Sequence, residues 1–139
     1  MKTVLFVCIH NSARSQMAET YVNKFGAGTW FAESAGLEPG KLNPIVVAAL
    51  KEDGLDISGK KTNGVFDFLK QGKTYDYVVT VCDGANGERC PVFPGKAKRL
   101  HWEFKDPSSF QGTPEEKLAG TRIVRDQIKA KMQELIKEY

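Results

Sequence analysis

The chain opens on a strand that is apolar on both faces, and a polar loop and a helix follow it directly. Thr3 to Cys8 include β-branched residues and show no polar alternation, which is typical of a parallel strand buried on both sides. After the loop, apolar side chains recur at helical spacing: Met17, Ala18, Tyr21, Val22 and Phe25. Gly26 then supplies a helix stop. This unit of strand, loop and helix favours folds built on a parallel sheet.

The same alternation continues along the chain. Thr29 to Ser34 predict a second strand. Asn43 followed by Pro44 predicts the N-cap and the first position of a helix that ends near Gly54. A weaker helical pattern covers Val65 to Leu69.

The second half of the chain adds two strands and a long helix. Tyr75 to Cys82 form another β-branched apolar run, and Ala97 to Trp102 predict a short fourth strand. Between them, residues 83–95 are rich in glycine and proline and predict a turn-rich loop. Thr113 to Glu116 form a capping box with proline at the first helical position. We therefore expect one α/β domain over residues 1–139, an open parallel four-stranded sheet with helices on both faces.

Composition limits the class of protein. The 139 residues suit one domain, and 41% hydrophobic with 27% charged residues is typical of a globular chain. Lys and Arg (20) barely exceed Asp and Glu (17) and are scattered, so no nucleic-acid surface is expected. Val4 to Ile9 are too short a run for a secretory signal, and no segment could span a membrane. Three cysteines favour a reducing compartment, so we expect a cytoplasmic protein.

The first loop carries a thiol and a guanidinium six positions apart, Cys8 and Arg14. The residues between them are Ile9, His10, Asn11, Ser12 and Ala13. The backbone N–H groups of such a loop and an arginine can bind a tetrahedral oxyanion, with the cysteine beneath it as nucleophile. The alternative is an inert buried cysteine and a solvent-facing arginine. The strand before the loop and the helix after it favour the oxyanion site.

A second cysteine, Cys82, lies at the end of another expected strand. Because parallel strands end at one edge of the sheet, where ligands bind, Cys8 and Cys82 are expected to converge there. Taken alone, Cys82 could equally be a buried small hydrophobe.

Six segments spread over nearly the whole chain carry a family resemblance. They are VLFVCIHNSARSQMAE (from Val4), SAG (from Ser34), LNP (from Leu42), DYVVTVC (from Asp76), HWEFKDP (from His101) and RIVRDQI (from Arg122). Together they resemble the low-molecular-weight protein tyrosine phosphatase superfamily, and within it the thioredoxin-coupled arsenate reductases. The resemblance implies the flavodoxin-like sheet topology of that superfamily.

In the reductases that the chain resembles, three cysteines act in turn, and Cys8, Cys82 and Cys90 fall at their positions. The resemblance implies that Cys8 attacks arsenate and that a Cys8–Cys82 disulfide then releases arsenite. A Cys82–Cys90 disulfide follows, which thioredoxin reduces. The implied partners are an arsenate-like or phosphate-like oxyanion and thioredoxin, with no bound cofactor. We expect a monomer.

The implied Cys82–Cys90 disulfide makes a demand on the chain between the two thiols. Eight extended residues span about 26 Å, whereas a disulfide joins Cα atoms about 4.4 to 6.8 Å apart. The segment must therefore fold back, and Gly84, Asn86 and Gly87 permit this. A zinc site at the two thiols is the competing interpretation. Cys82 and Cys90 do not form a close ligand pair, and the sequence has only two histidines, so the residues needed for a zinc site are too few.

Three further side chains have candidate roles at the loop. Asp106, which precedes Pro107, matches the family's general acid, whereas Asp-Pro pairs are more commonly turn starters. Ser15 could hydrogen-bond the Cys8 thiolate or could simply cap the helix. Asn11 could hold the loop in shape or be an ordinary turn residue.

Two departures from the family concern charge. His10 stands where related reductases often have glycine, and we expect an exposed imidazole without a role rather than an added charge beside the anion. Some reductases of this kind hold a potassium ion, and the matching positions are Asn11, Glu19, Ser34 and Asn63. Asn63 is neutral where the family site carries an acid, which argues against potassium and leaves no metal expected.

Three functions compete. Arsenate reduction with thioredoxin as electron donor uses all three cysteines, although glutaredoxin or a low-molecular-weight thiol stays open as the donor. Phosphomonoester hydrolysis through a Cys8 phosphoenzyme needs only Cys8, Arg14 and Asp106. Ser108 follows the Asp-Pro pair where the phosphatases carry aromatic residues, which favours the reductase. The third is a non-enzymatic oxyanion-binding or redox-sensing module with a reversible Cys8–Cys82 pair.

Overall fold

Strands and helices alternate along the chain in the computed structural model, which describes residues 1–82, 90 and 93–139. The elements are β1 (Lys2–Cys8), α1 (Arg14–Phe25), β2 (Trp30–Gly36), α2 (Pro44–Glu52), α3 (Val65–Lys70), β3 (Tyr77–Thr80), β4 (Lys98–His101), a 3-10 turn (Pro107–Ser109) and α4 (Pro114–Glu138). Among the described residues, no helix is both long and apolar enough to cross a lipid bilayer.

The four strands form one parallel sheet in the order β2-β1-β3-β4. This is the flavodoxin-like order, and it confirms the predicted fold class. From β1 the chain first adds β2 toward one edge of the sheet and then adds β3 toward the other edge, so the strand order reverses between β1 and β3. Ligands of such sheets bind at this reversal, outside the carboxyl ends of the strands. Cys8, the last residue of β1, lies at that point.

The core lies on both faces of the sheet because successive side chains of β1 point to opposite sides. Val4, Phe6 and Cys8 belong to a cluster that α1, α2 and α4 cover. Leu5 and Val7 belong to a second cluster that includes Val65 and Phe68 of α3. Every β1 residue from Val4 to Cys8 is buried, as the unbroken apolar run predicted.

The strand ends differ from the prediction. The third strand covers Tyr77–Thr80 rather than Tyr75 to Cys82, because both of its neighbours, β1 and β4, pair with these four residues alone. Backbone hydrogen bonds still continue beyond it, from Val81 N to the Val7 carbonyl at 2.9 Å. At the other edge, β2 runs to Gly36, two residues past its predicted end, because Cys8 pairs with Gly36. Most of the turn-rich loop predicted at 83–95 lies outside the described residues.

Candidate active site

The loop after β1 is held in place by hydrogen bonds to its carbonyl oxygens. Backbone N–H groups of the segment that follows β2 donate to three of them: Leu37 N to Cys8 O (3.0 Å), Glu38 N to Ile9 O (2.7 Å) and Gly40 N to His10 O (3.0 Å). Asn43 N donates to Ser12 O at 3.0 Å. These bonds fix the direction of four peptide units. Within the loop, Ile9 and Ser12 are half-buried and Ala13 is buried.

Asn11 shapes the inner side of the loop. Its φ of 55° is left-handed, a conformation that asparagine adopts more readily than most residues. Its side-chain oxygen accepts from Asn63 N at 2.8 Å and from Gln16 Nε2 at 3.1 Å. Its side-chain nitrogen donates to Ser15 Oγ at 2.8 Å. Asn11 is therefore both a turn residue and the brace between the loop, α1 and the segment at Asn63.

Two hydrogen-bond donors face the Cys8 sulfur. The Asn11 backbone N–H donates to Cys8 Sγ at 3.2 Å, and Ser15 Oγ lies 2.8 Å from the same atom. Because Ser15 Oγ already accepts from the Asn11 amide, its own hydrogen is available to the sulfur. Both donors therefore point at the atom that is the candidate nucleophile. Ser15 does not cap α1; the N-cap residue is Ala13, which makes no side-chain capping bond.

Arg14 points into the protein, so the solvent-facing alternative is wrong. Its side chain is 3% exposed, and its guanidinium donates to the Phe104 carbonyl at 3.1 Å. Asp106 Oδ2 lies 3.6 Å from the same guanidinium. Asp106 also accepts from Ser108 N at 3.0 Å at the start of the 3-10 turn. It therefore starts a turn and faces the arginine of the loop at the same time.

The three cysteines are buried thiols, and they do not all lie on the same face of the sheet. Cys8 and Cys82 belong to the same core cluster and lie at or just beyond the carboxyl ends of the adjacent parallel strands β1 and β3. Cys90 belongs to the cluster on the opposite face. Burial raises the pKa of the Cys90 thiol, and the Arg99 guanidinium opposes that shift. The chain between Cys82 and Cys90, with the turn residues Gly84, Asn86 and Gly87, lies outside the described residues.

His10 lies on the exposed rim of the loop. Its Nδ1 is 2.8 Å from the Glu38 carbonyl oxygen. A carbonyl oxygen can only accept, so Nδ1 carries the hydrogen in this arrangement. The imidazole thus anchors the rim to the segment that follows β2, a contact that the sequence did not indicate.

The four positions matched to a potassium site come together beside the loop, but a lysine joins them. Ser34 Oγ donates to Glu19 Oε1 at 3.1 Å, and Asn63 Nδ2 donates to the Ser34 carbonyl at 3.1 Å. The Lys60 ammonium forms an ion pair with Glu19 Oε2. Among the described residues, no group of three or more His, Cys, Asp or Glu side chains is placed to hold a metal ion.

Gly36 is a site residue that the sequence reasoning missed. A Cβ built on Gly36 would lie 2.7 Å from the Ile9 carbonyl oxygen and 2.8 Å from Asn11 N. Both atoms belong to the loop backbone, so rotation of a side chain cannot relieve the clash. The glycine of the SAG segment was the available signal, since a strand glycine can mark a close backbone approach.

Gly36→Ala is expected to displace the loop and to lower the turnover of any Cys8-dependent substrate by about 10²-fold, because small displacements of reacting groups are costly. Steady-state kinetics with p-nitrophenyl phosphate measures the effect, and circular dichroism verifies the fold. Gly59→Ala is the matched control, since no atom lies within 4 Å of a Cβ there. Equal activities for the two variants would show that Gly36 does not hold the loop.

A thiol, a buried arginine and a carboxylate lie near the point where the strand order of this flavodoxin-like sheet reverses. This arrangement defines a class of cysteine-based proteins that bind oxyanions. The family model for low molecular weight phosphotyrosine protein phosphatase matches residues 3–139. The chain belongs to that family.

Similar proteins extend this comparison. Arsenate reductase of Bacillus subtilis (strain 168) is 42% identical over 134 residues, which are 96% of this chain and 94% of that protein. A solved arsenate reductase in its phosphate-binding state superposes with a TM-score of 0.78 at 33% identity, covering 99% of this chain and 98% of that one. A thioredoxin-dependent arsenate reductase of Corynebacterium glutamicum has a TM-score of 0.72 at 28% identity, covering 99% of this chain and 60% of that chain.

Proposed function

We propose that this protein is a thioredoxin-dependent arsenate reductase in which Cys8, Cys82 and Cys90 act in sequence. The observation that carries the proposal is the Cys8 loop, with two donors on the sulfur and the buried Arg14 beside it. The arsenate reductase of B. subtilis and the thioredoxin-dependent reductase of C. glutamicum support the substrate and the electron donor. The expected setting is a monomer in the reducing cytoplasm, which suits a chain with three thiols.

The loop suits a tetrahedral oxyanion for two physical reasons. It ends at the N-terminus of α1, a twelve-residue helix, where the backbone N–H groups and the helix dipole favour negative charge. Arg14 adds a planar guanidinium that can bind two oxygens of the anion. The related reductase solved in a phosphate-binding state supports the binding of a phosphate-like oxyanion.

In the first proposed step the Cys8 thiolate attacks arsenic(V) of arsenate and forms a sulfur–arsenic bond. One arsenate oxygen leaves as water after taking a proton, and Asp106 is the proposed donor because it faces Arg14 at the loop. The Ser15 hydroxyl and the Asn11 N–H stabilise the thiolate before the attack.

In the second step the Cys82 thiolate attacks the Cys8 sulfur. A disulfide forms and the sulfur–arsenic bond breaks, so its electron pair stays on arsenic, which leaves as arsenic(III) in arsenite. The common cluster of Cys8 and Cys82 supports this order.

In the third step the Cys90 thiolate attacks Cys82, the Cys8 thiolate is released, and the dithiol of thioredoxin reduces the Cys82–Cys90 disulfide. Two features keep Cys90 out of the earlier steps: it packs on the face opposite Cys8, and burial raises the pKa of its thiol. A raised pKa disfavours the Cys90 thiolate and so slows its attack, which supports its use in the last exchange.

The test is arsenate-dependent NADPH oxidation with thioredoxin and thioredoxin reductase, run on the native protein and on Cys82→Ser and Cys90→Ser. Sustained turnover in the native protein and its loss in both variants, leaving at most one arsenite per enzyme in Cys90→Ser, is the expected result. A parallel assay with glutaredoxin and glutathione identifies the electron donor.

Hydrolysis of p-nitrophenyl phosphate gives the contrasting outcome. Phosphate-ester turnover that survives both substitutions, with no arsenate-dependent oxidation in the native protein, would make the chain a phosphatase with two incidental thiols. The absence of both activities would support an oxyanion-binding or redox-sensing module.

A further inference from the structure

An ion pair between one buried and one partly buried side chain is linked to the active-site loop. Glu19 of α1 is 6% exposed, and the ammonium of the partly buried Lys60 contacts its carboxylate. Burial lowers the pKa of the Lys60 ammonium. Removing one member of such a pair leaves a charge buried without compensation. Nothing in the proposed chemistry uses Lys60 or Glu19 directly.

A continuous series of hydrogen bonds joins this ion pair to the loop. Glu19 Oε1 accepts from Ser34 Oγ at 3.1 Å, and the Ser34 carbonyl accepts from Asn63 Nδ2 at 3.1 Å. Asn63 N donates to Asn11 Oδ1 at 2.8 Å. Glu19, Ser34 and Asn11 are all buried, so water does not compete for most of these contacts.

The series ends at the reactive sulfur. Asn11 Nδ2 donates to Ser15 Oγ at 2.8 Å, and Ser15 Oγ lies 2.8 Å from Cys8 Sγ. The orientation of the Asn11 amide therefore decides whether the Ser15 hydrogen can turn toward Cys8.

We propose that Lys60 is a positioning residue for the Cys8 nucleophile. Its ammonium compensates the buried Glu19 charge and holds Glu19 against Ser34, which fixes Asn63, Asn11 and Ser15 in turn. It also removes the repulsion that an uncompensated carboxylate would exert on an oxyanion in the loop. The inference rests on the proposed function only in taking Cys8 as the nucleophile.

Without the lysine side chain, the buried Glu19 carboxylate and the neighbouring Ser34 hydroxyl leave a space of negative potential where the ammonium stood. A small monovalent cation from solution can compensate that charge, whereas a bulky quaternary ammonium ion cannot enter. Ammonium or potassium chloride is thus expected to restore the function of a Lys60→Ala variant.

The readout is the rate of Cys8 alkylation by iodoacetamide against pH, in a Cys82→Ser/Cys90→Ser background that leaves Cys8 as the one thiol. Lys60→Met is expected to slow alkylation at pH 7 by roughly tenfold and to move the profile to higher pH. Lys60→Arg should keep the native profile. Lys61→Met is the matched control, since the neighbouring Lys61 is exposed.

Two further measurements separate a positioning role from a general loss of stability. Lys60→Met/Glu19→Gln removes both charges and is expected to recover most of the native rate, even if Lys60→Met alone folds poorly. In Lys60→Ala, ammonium or potassium chloride should raise the rate, and tetramethylammonium chloride at the same ionic strength should not.

A native pH profile in folded Lys60→Met, an equal effect of Lys61→Met, or a double variant as slow as the single one would each overturn the proposal. Alkylation involves neither arsenate nor thioredoxin. If the native protein fails to reduce arsenate and Lys60→Met still shifts the profile, then the proposed function fails while this inference stands.

Discussion

Cys8→Ser is expected to abolish arsenate reduction and phosphate-ester hydrolysis together, with a loss of at least about 10⁴-fold in turnover. Serine keeps the size and the two polar contacts of the cysteine, so the fold should survive. Its hydroxyl is hardly ionised at neutral pH, however, and the contacts of Cys8 within the described part of the chain, Ser15 and the Asn11 N–H, include no general base. An arsenate ester of serine would also be unable to form the disulfide that releases arsenite.

The measurement pairs Cys8→Ser with Cys82→Ser in both assays. Both positions are buried cysteines, so the two substitutions are chemically matched. Cys82→Ser should lose arsenate reduction and retain p-nitrophenyl phosphate hydrolysis, because that reaction ends at a Cys8 phosphoenzyme and needs no second thiol. Hydrolysis by Cys8→Ser within tenfold of the native rate would remove Cys8 from the role of nucleophile.

Arg14→Lys is expected to lower kcat/KM for either substrate by about 10²-fold to 10³-fold, comparable to the loss of one oxyanion donor in other enzymes. The substitution keeps the charge, but an ammonium is a point charge that cannot bind two anion oxygens in a plane. The native guanidinium also contacts the Phe104 carbonyl and faces Asp106. The shorter lysine cannot keep both contacts and bind the anion.

Phosphate affinity measured by calorimetry should fall along with the kinetics, since Arg14 binds the anion before any chemistry. Arg122→Lys provides the control, because Arg122 pairs with Glu52 on the exposed surface far along the chain from the loop. Exposed ion pairs contribute little, so the control should keep native activity and stability. Native phosphate binding by Arg14→Lys would contradict the assignment of this arginine to the oxyanion.

Local patterns were enough to predict the sheet and most helices. The apolar run at Thr3 to Cys8 predicted the buried central strand, and Asn43 with Pro44 predicted the start of α2, where Asn43 does cap the helix. Thr113 likewise caps α4. The strand ends were less accurate, since the bounds of β3 are set by its pairing with β1 and β4, which are both distant from it in the chain.

The sequence by itself determined the parts of the site that depend on adjacent residues. Spacing along the chain places a thiol at the end of a buried strand and an arginine at the start of the next helix, with the loop between them. The regular geometry of the strand and the helix fixes where these two residues lie relative to the loop.

The tertiary structure decided what braces that loop. Gly36, Asn63 and Lys60 are distant in sequence from Cys8, and none has a local pattern that ties it to a thiol. Their roles arise when β2 pairs with β1 and the segment before α3 packs against the loop. Close backbone approach and compensation of a buried charge depend on distances through space, and only the folded chain sets those distances.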